Sequence, residues 1–282
     1  LCPSENIYIV TNQQYEQIVQ EQLPDAHIDQ IICEPSRNNT APCIAYASFK
    51  LHTKNPEANI VVAPSDHFIL YEDVFVDKIR QALQFTESHD ALLTLGISPT
   101  RPDTGYGYIK YDSSQYDGVH KVLQFREKPN LETAKSFLTE GNYVWNARIF
   151  IWKTAAILKA LKTYSEEIYC LFDKGSHLYN TAEERSFIDS HYPTSPNISI
   201  DYAIMEQAEN VYTIPAEFGW SDLGTWASLH DSVPKDEFNN AVHAKNIKLS
   251  ETSNSIIHIQ PEKLAIIKGL DDFIVVDDKN AL

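Results

Sequence analysis

Short apolar runs separated by amphipathic stretches set the rhythm of the first two hundred residues. Residues 7–10, 31–33, 59–63 and 91–95 are β-branched and aliphatic runs bounded by turn chemistry, and they read as strands. Between them the apolar period changes to that of a helix. Residues 12–22 are helical until Pro24 closes them. After Glu34-Pro35-Ser36-Arg37-Asn38, a helix capped by Asn39 or Thr40 puts Ala41, Ile44, Ala45 and Ser48 on its inner face, with Pro42 in the first turn. Phe75, Ile79, Ala82 and Leu83 mark a third helix. This alternation predicts parallel pairing with right-handed crossovers, residues 59–63 forming a buried parallel strand. Residues 104–110 and 119–125 look like shorter antiparallel strands, 131–138 a helix, 143–152 a strand, 153 to about 190 mainly helix, 200–208 a helix and 211–214 a strand. Beyond Pro234 the pattern becomes short strands between Asn, Asp, Ser and Gly turns, at 247–249, 255–259, 264–267 and 273–276, with no repeat of fixed period evident. The expected division is 1–234 and 235–282.

Composition narrows the function classes. With 282 residues, 43% of them apolar and nine glycines, the chain has ample material for a core. A formal charge of −16 repels polyanions and argues against extended nucleic-acid binding, while leaving room for small phosphorylated ligands held by local cations or a metal. Cys2, Cys33, Cys43 and Cys170 show no CxxC spacing, so a reducing, cytoplasmic setting is expected. No apolar run approaches the roughly 18 residues of a membrane span. The chain begins at Leu1 without an initiator Met and reads as cropped at both ends.

Five stretches carry candidate chemistry. Asp66 follows the 59–63 strand by three residues, at the edge where open α/β sheets hold ligands; it suits a metal or phosphate site, or a cap for the next helix. Thr104-Gly105-Tyr106-Gly107-Tyr108 allows close backbone approach to a ligand, or a bulge. In Phe125-Arg126-Glu127-Lys128-Pro129, Glu127 and Lys128 on a strand would face opposite ways and could contact two groups of one ligand. Asn146, in the apolar run Tyr143-Val144-Trp145-Asn146-Ala147-Arg148, needs a partner from backbone or ligand. Asp222, in Gly219-Trp220-Ser221-Asp222-Leu223-Gly224, is a second isolated acid or a helix cap. No HExxH, GxSxG, GxxxxGK[ST] or GxGxxG pattern is present.

Together and in this order the stretches EPSRNNTAPCIAYA, VVAPSDHFI, TLGISPTRPDTGYGYIK, FREKPN, YVWNARIFIW, ISIDYAIME and GWSDLGTW, spanning residues 34–229, resemble the mannose-1-phosphate guanylyltransferases of the sugar-nucleotidyltransferase superfamily. The resemblance implies a Rossmann-like mixed α/β sheet flanked by helices, of the nucleotide-diphospho-sugar transferase type, with a small β-rich C-terminal part. It implies transfer of GMP from GTP to mannose 1-phosphate. Asp66 and Asp222 would hold Mg²⁺, with Mn²⁺ as the alternative, and Lys128 would clamp the sugar phosphate. Glu127 and Asn146 would bind sugar hydroxyls, the backbone at Gly107 would line the pocket, and Asn39 and Thr40 would lie near guanine and ribose. A homodimer is the expected assembly, with neither nucleic acid nor membrane as partner. A nucleotidyltransferase for another sugar 1-phosphate and a non-catalytic sugar-nucleotide sensor are the alternatives. Two departures stand out. The family's Gly-rich loop, which holds the triphosphate and precedes the matching region, is absent, so the chain reads as a truncated form that can be inactive alone. Arg148 stands where the family usually has glycine, where it could narrow the pocket, pair with a phosphate or turn outward.

Overall fold

The computed structural model describes residues 1–114 and 118–277, and contacts divide the chain into two units, Leu1–Pro64 with Tyr71–Phe218, and Ser65–Leu70 with Gly219–Leu282. The second unit thus takes in 65–70 and 219–234, which the sequence reading assigns to the first domain.

The first unit opens with β1 (Ile9–Asn12) and β2 (Ile31–Glu34), paired in parallel across the crossover helix α1 (Glu16–Gln22). Helix α2 (Thr40–Lys54) follows, and Ala41, Ile44, Ala45 and Ser48 are all buried, as their spacing requires. Next come β3 (Asn59–Val62), β4 (Phe68–Ile69, in the second unit), α3 (Glu72–Ser88), the wholly buried β5 (Leu92–Ile97), β6 (Tyr108–Tyr111) and β7 (His120–Arg126). Helix α4 (Leu131–Glu140), the eleven-residue β8 (Tyr143–Lys153), α5 (Thr154–Tyr164), α6 (Glu166–Asp173) and α7 (Glu184–His191) lead to a π-helical turn, Asp201–Met205, and β9 (Val211–Ala216). One mixed sheet has the order β3-β8-β5-β9-β7-β6, and β6 also pairs with β8. Helices α2, α5 and α6 pack together over a core that includes Phe49, Trp152, Ile157, Leu161 and Phe172.

Residues 59–62 are a strand, but neither parallel nor buried. The strand β3 runs antiparallel to β8 at the sheet's edge, with Val61 37% exposed. A four-residue apolar run has the same pattern in either direction, and the long β8 inserts between β3 and β5 where a sequential reading places a crossover neighbour. The expected 200–208 helix is likewise shortened to the π-turn, where Glu206 N donates to Asp201 O at 2.9 Å. No helix among the described residues is long and apolar enough to cross a membrane, and all four cysteines are free.

In the second unit β4 pairs antiparallel with β10 (Trp220–Ser221), and α8 (Trp226–Ser232) follows. Then β11 (Ala241–His243), β12 (Asn246–Ser250), β13 (Ile256–His258), β14 (Leu264–Lys268) and β15 (Ile274–Val276) stack in two parallel ladders, β11-β13-β15 and β12-β14. The chain therefore coils. Ile256 pairs with Ile274 and Asn246 with Leu264, each 18 residues on, but Ala241 pairs with Ile256 only 15 residues on, so the turns of the coil differ in length and no fixed period runs through them. The turns share a corner geometry: Asn239, Asn254 and Asp272 hold φ of 62°, 51° and 61° two residues before successive strands of the first ladder. Asn and Asp tolerate that left-handed region best among residues with side chains.

Candidate functional site

Strand β7 ends at Arg126, and Glu127 and Lys128 lie just past it instead of on opposite faces of a strand. Lys128 turns the chain at φ 44°, Pro129 is buried and the Asn130 side chain caps α4 by accepting from Thr133 N at 2.9 Å. Lys128 is exposed, whereas the Glu127 side chain is only 6% exposed. Its carboxylate lies against Gly107, where an added Cβ would overlap Oε2.

A bulge in β8 brings Asn146 to the same place. Thr94 of β5 faces Phe150 and Gly96 faces Asn146, so Ala147, Arg148 and Ile149 stand opposite Leu95 alone. Asn146, 2% exposed, fastens the bulge: its Oδ1 accepts from Thr94 Oγ1 at 3.1 Å and from Arg148 N at 3.0 Å, and its backbone N–H donates to Gly107 O at 2.8 Å. Arg148 sits within the bulge at φ 55°, a conformation that costs a non-glycine residue on the order of 1 kcal/mol. From there its Nη2 donates to Glu127 Oε1 at 2.9 Å. The long cation thus turns onto a buried carboxylate while its own side chain stays 42% exposed.

Asp201, which the sequence reading passed over, completes the cluster. It opens the π-turn at 5% exposure and accepts from Asn146 Nδ2 at 2.9 Å. Burial, aided by the negative charge of Glu127, pushes its pKa up to about 6, while Arg148 and the Asn146 bond pull it back. The available signal was one acid inside the apolar run Ile198-Ser199-Ile200-Asp201-Tyr202-Ala203-Ile204-Met205. Gly107, Glu127 and Asn146 are therefore brought together, with Arg148 and Asp201 between carboxylates and amide. Gly107→Ala must displace a pinned carboxylate, and is expected to cost about 2 kcal/mol in urea denaturation. An unchanged midpoint would show that Glu127 moves freely.

Asn39 and Thr40 stand at the N-terminus of α2, where Thr40 meets Ile200, the residue before Asp201. Donors of the first turn are in use: Thr40 N donates to Asn39 Oδ1 at 2.9 Å and Ala41 N to Ile198 O at 3.1 Å, while Thr40 Oγ1 accepts from Ile200 N at 2.9 Å. The segment before the π-turn has claimed Ala41 N and the Thr40 hydroxyl. Asn39 pairs φ 69° with ψ −172°, a region almost reserved for glycine. Asn39→Gly is expected to raise stability by about 1 kcal/mol, since glycine caps nearly as well without the strain, and Asn39→Ala to lower it by about as much. Equal denaturation midpoints for the two variants would contradict the strain.

In the second unit Ser221 pairs with Phe68, so Asp222 and Asp66 leave the same end of the β4–β10 ladder. Neither is a helix cap. The N-cap of α3 is Tyr71, without a side-chain bond, and that of α8 is Thr225, in a capping box with Ser228. Asp222 Oδ1 instead accepts from Gly224 N at 3.0 Å across a left-handed Leu223, φ 48°. No group of three or more His, Cys, Asp or Glu side chains placed to hold a metal occurs among the described residues. Two carboxylates at one ladder end fit an ion that takes one or two of them and completes its shell with phosphate and water, as Mg²⁺ does.

Residues 3–238 match the model of the family described as nucleotidyl transferase. Among curated proteins, the chain is 35% identical over 278 residues to a putative mannose-1-phosphate guanylyltransferase of Vibrio cholerae, covering 97% of this chain and 59% of that one. It is 33% identical to the mannose-1-phosphate guanylyltransferase of Escherichia coli, covering 99% and 59%, and 34% identical to the alginate biosynthesis protein AlgA of Pseudomonas fluorescens, covering 97% and 57%. The chain thus spans about three fifths of the length of these relatives. A solved Thermus thermophilus structure described as a mannose-1-phosphate geranyltransferase shares the fold at a TM-score of 0.87 and 22% identity, over 99% of this chain and 79% of the other. With most of its length inside the family model and the glycine, carboxylate and amide of the matching motifs meeting in one cluster, the chain belongs to the nucleotidyl transferase family.

Proposed function

We propose that this chain is the nucleotidyl-transferring part of an enzyme that moves GMP from GTP to mannose 1-phosphate, giving GDP-mannose and pyrophosphate. The observation that carries this reading is the convergence of Gly107, Glu127 and Asn146, three separated motifs, on one buried cluster beside an exposed lysine. The names of the relatives supply the substrates. Glu127 and Asn146 take sugar hydroxyls, the backbone at Gly107 lines the pocket, and Lys128 clamps the sugar phosphate; Asn39 and Thr40 serve guanine and ribose. A phosphate oxygen of mannose 1-phosphate is already anionic, so in-line attack on the α-phosphorus needs no general base. Catalysis then reduces to holding two anions together and neutralising the charge that passes to pyrophosphate. Asp66 and Asp222 would hold Mg²⁺, or Mn²⁺, which supplies that neutralisation. Cytoplasmic location and a homodimer belong to the same reading, the latter checked by solution mass.

The test is pyrophosphate release by the full-length gene product with mannose 1-phosphate and each of GTP, ATP, UTP and dTTP, then with glucose 1-phosphate. Release at least tenfold faster with GTP and mannose 1-phosphate is expected. A preference for another pair reassigns the substrates. No release from folded protein that still binds GDP-mannose sinks transfer in favour of a sensor, a role that the Arg148–Glu127 pair would also suit.

A further inference from the structure

The Arg148–Glu127 ion pair has unequal sides. The Glu127 side chain is 6% exposed and that of Arg148 42%, so the guanidinium lies on the solvent side of the carboxylate. Glu127 Oε2 is buried without a hydrogen-bond partner among the described residues. Asp201, the other buried acid of the cluster, receives its bond from Asn146 and leaves Oε2 unsatisfied. A carboxylate with one oxygen spare is a ready acceptor for a hydroxyl, but Arg148 stands over it. The arginine is held there by a left-handed backbone that glycine would adopt without strain, so the contact is maintained against a local cost.

We infer that Arg148 is a latch over Glu127 that opens to an anionic sugar and not to a neutral one: its guanidinium exchanges the carboxylate for the ligand's phosphate, and Glu127 then accepts a sugar hydroxyl. This rests on the sugar-phosphate reading above. The guanidinium stays paired throughout, one anion replacing another on it, while the buried Glu127 gives up its cation and takes the hydroxyl bond in its place. Phosphate suits it well, offering a planar fork two parallel acceptors. A neutral sugar has nothing to give the guanidinium in return and must break the pair uncompensated. Specificity for the phosphorylated sugar thus comes partly from a penalty on its neutral counterpart. Lys128, a compact point charge on the neighbouring turn, attracts phosphate without making that distinction.

The experiment is calorimetric titration of the chain, and of Arg148→Gly, Arg148→Gln and Arg148→Lys, with mannose 1-phosphate, mannose and inorganic phosphate. The unmutated chain is expected to bind mannose 1-phosphate at least 100-fold more tightly than mannose. Arg148→Gly narrows that ratio tenfold or more, weakening the phosphate ester and strengthening the neutral sugar; Arg148→Gln, which keeps length without charge, does the same should the glycine variant fold poorly. Arg148→Lys restores part of the ratio. An unchanged ratio in Arg148→Gly or Arg148→Gln overturns the latch and leaves the sugar-phosphate reading intact. Inorganic phosphate bound as tightly as mannose 1-phosphate also overturns it, since Glu127 would then contribute nothing. Absence of mannose 1-phosphate binding by the cooperatively melting unmutated chain overturns the reading itself, and the latch with it.

Discussion

Asp222→Ala is expected to lower pyrophosphate release by about 10³-fold, on the order of 4 kcal/mol of transition-state stabilisation, while costing the fold only about 1 kcal/mol. The two figures come from different contacts. Within the protein Asp222 accepts from Gly224 N in its own turn, and α8 is capped without it by Thr225. Its removal leaves that helix start intact. Toward a nucleotide, Asp222 is one of two carboxylates leaving the same ladder end, and a divalent ion held by one carboxylate in place of two is held more weakly. Asp66→Ala should therefore show a loss of similar size, and raising Mg²⁺ should recover part of the activity in either variant. Chelation of the unmutated protein should mimic both. Steady-state release over a Mg²⁺ series decides the matter: a loss below tenfold, insensitive to Mg²⁺, means that the metal is bound elsewhere.

These sites were legible to different degrees, for physical reasons. The start of α2 was readable because capping chemistry and the 3.6-residue period are local: Asn39, Pro42 and the buried Ala41, Ile44, Ala45 and Ser48 all lie within ten residues. The direction of β3 was not, because its neighbour β8 comes ninety residues later and a four-residue run fits either orientation. The coil of the second unit was hidden for a related reason. Its turns are marked by left-handed corners at Asn239, Asn254 and Asp272, unequally spaced, while the ladder pairs unlike residues, Lys248 with Ile266 for one. At the site, motif order marked Gly107, Glu127 and Asn146, but no sequence rule says that Asn146 spends its oxygen on the β8 bulge or that Arg148 covers Glu127. Asp201 was visible only as an acid in an apolar run, and the π-turn that aims it at Asn146 has no sequence signature of its own.

Asp201→Asn is expected to stabilise the protein by about 3 kcal/mol at pH 7.5 and by almost nothing near pH 3.5. In the fold the Asp201 pKa is pushed from 3.8 to about 6, first by burial and then by Glu127. A carboxyl whose pKa is raised by folding is protonated in both states below pH 3.8 and costs nothing there. Between 3.8 and about 6 the unfolded chain releases the proton more readily than the fold, so stability falls as pH rises; above about 6 the buried charge carries its full cost. Two pKa units at about 1.4 kcal/mol each set the size. Asparagine removes the ionisable group while its carbonyl can still accept from Asn146 Nδ2, so the bond that positions Asn146 survives. Urea denaturation of both proteins at the two pH values isolates the effect, because carboxylates outside the cluster titrate alike in each and cancel. A difference independent of pH would show that folding leaves the Asp201 pKa unshifted, the cost of burial being offset in full by Arg148 and the Asn146 bond. A larger gain at the lower pH would place Asp201 as the stabilising anion that Arg148 neutralises, reversing the order of the two carboxylates in the cluster.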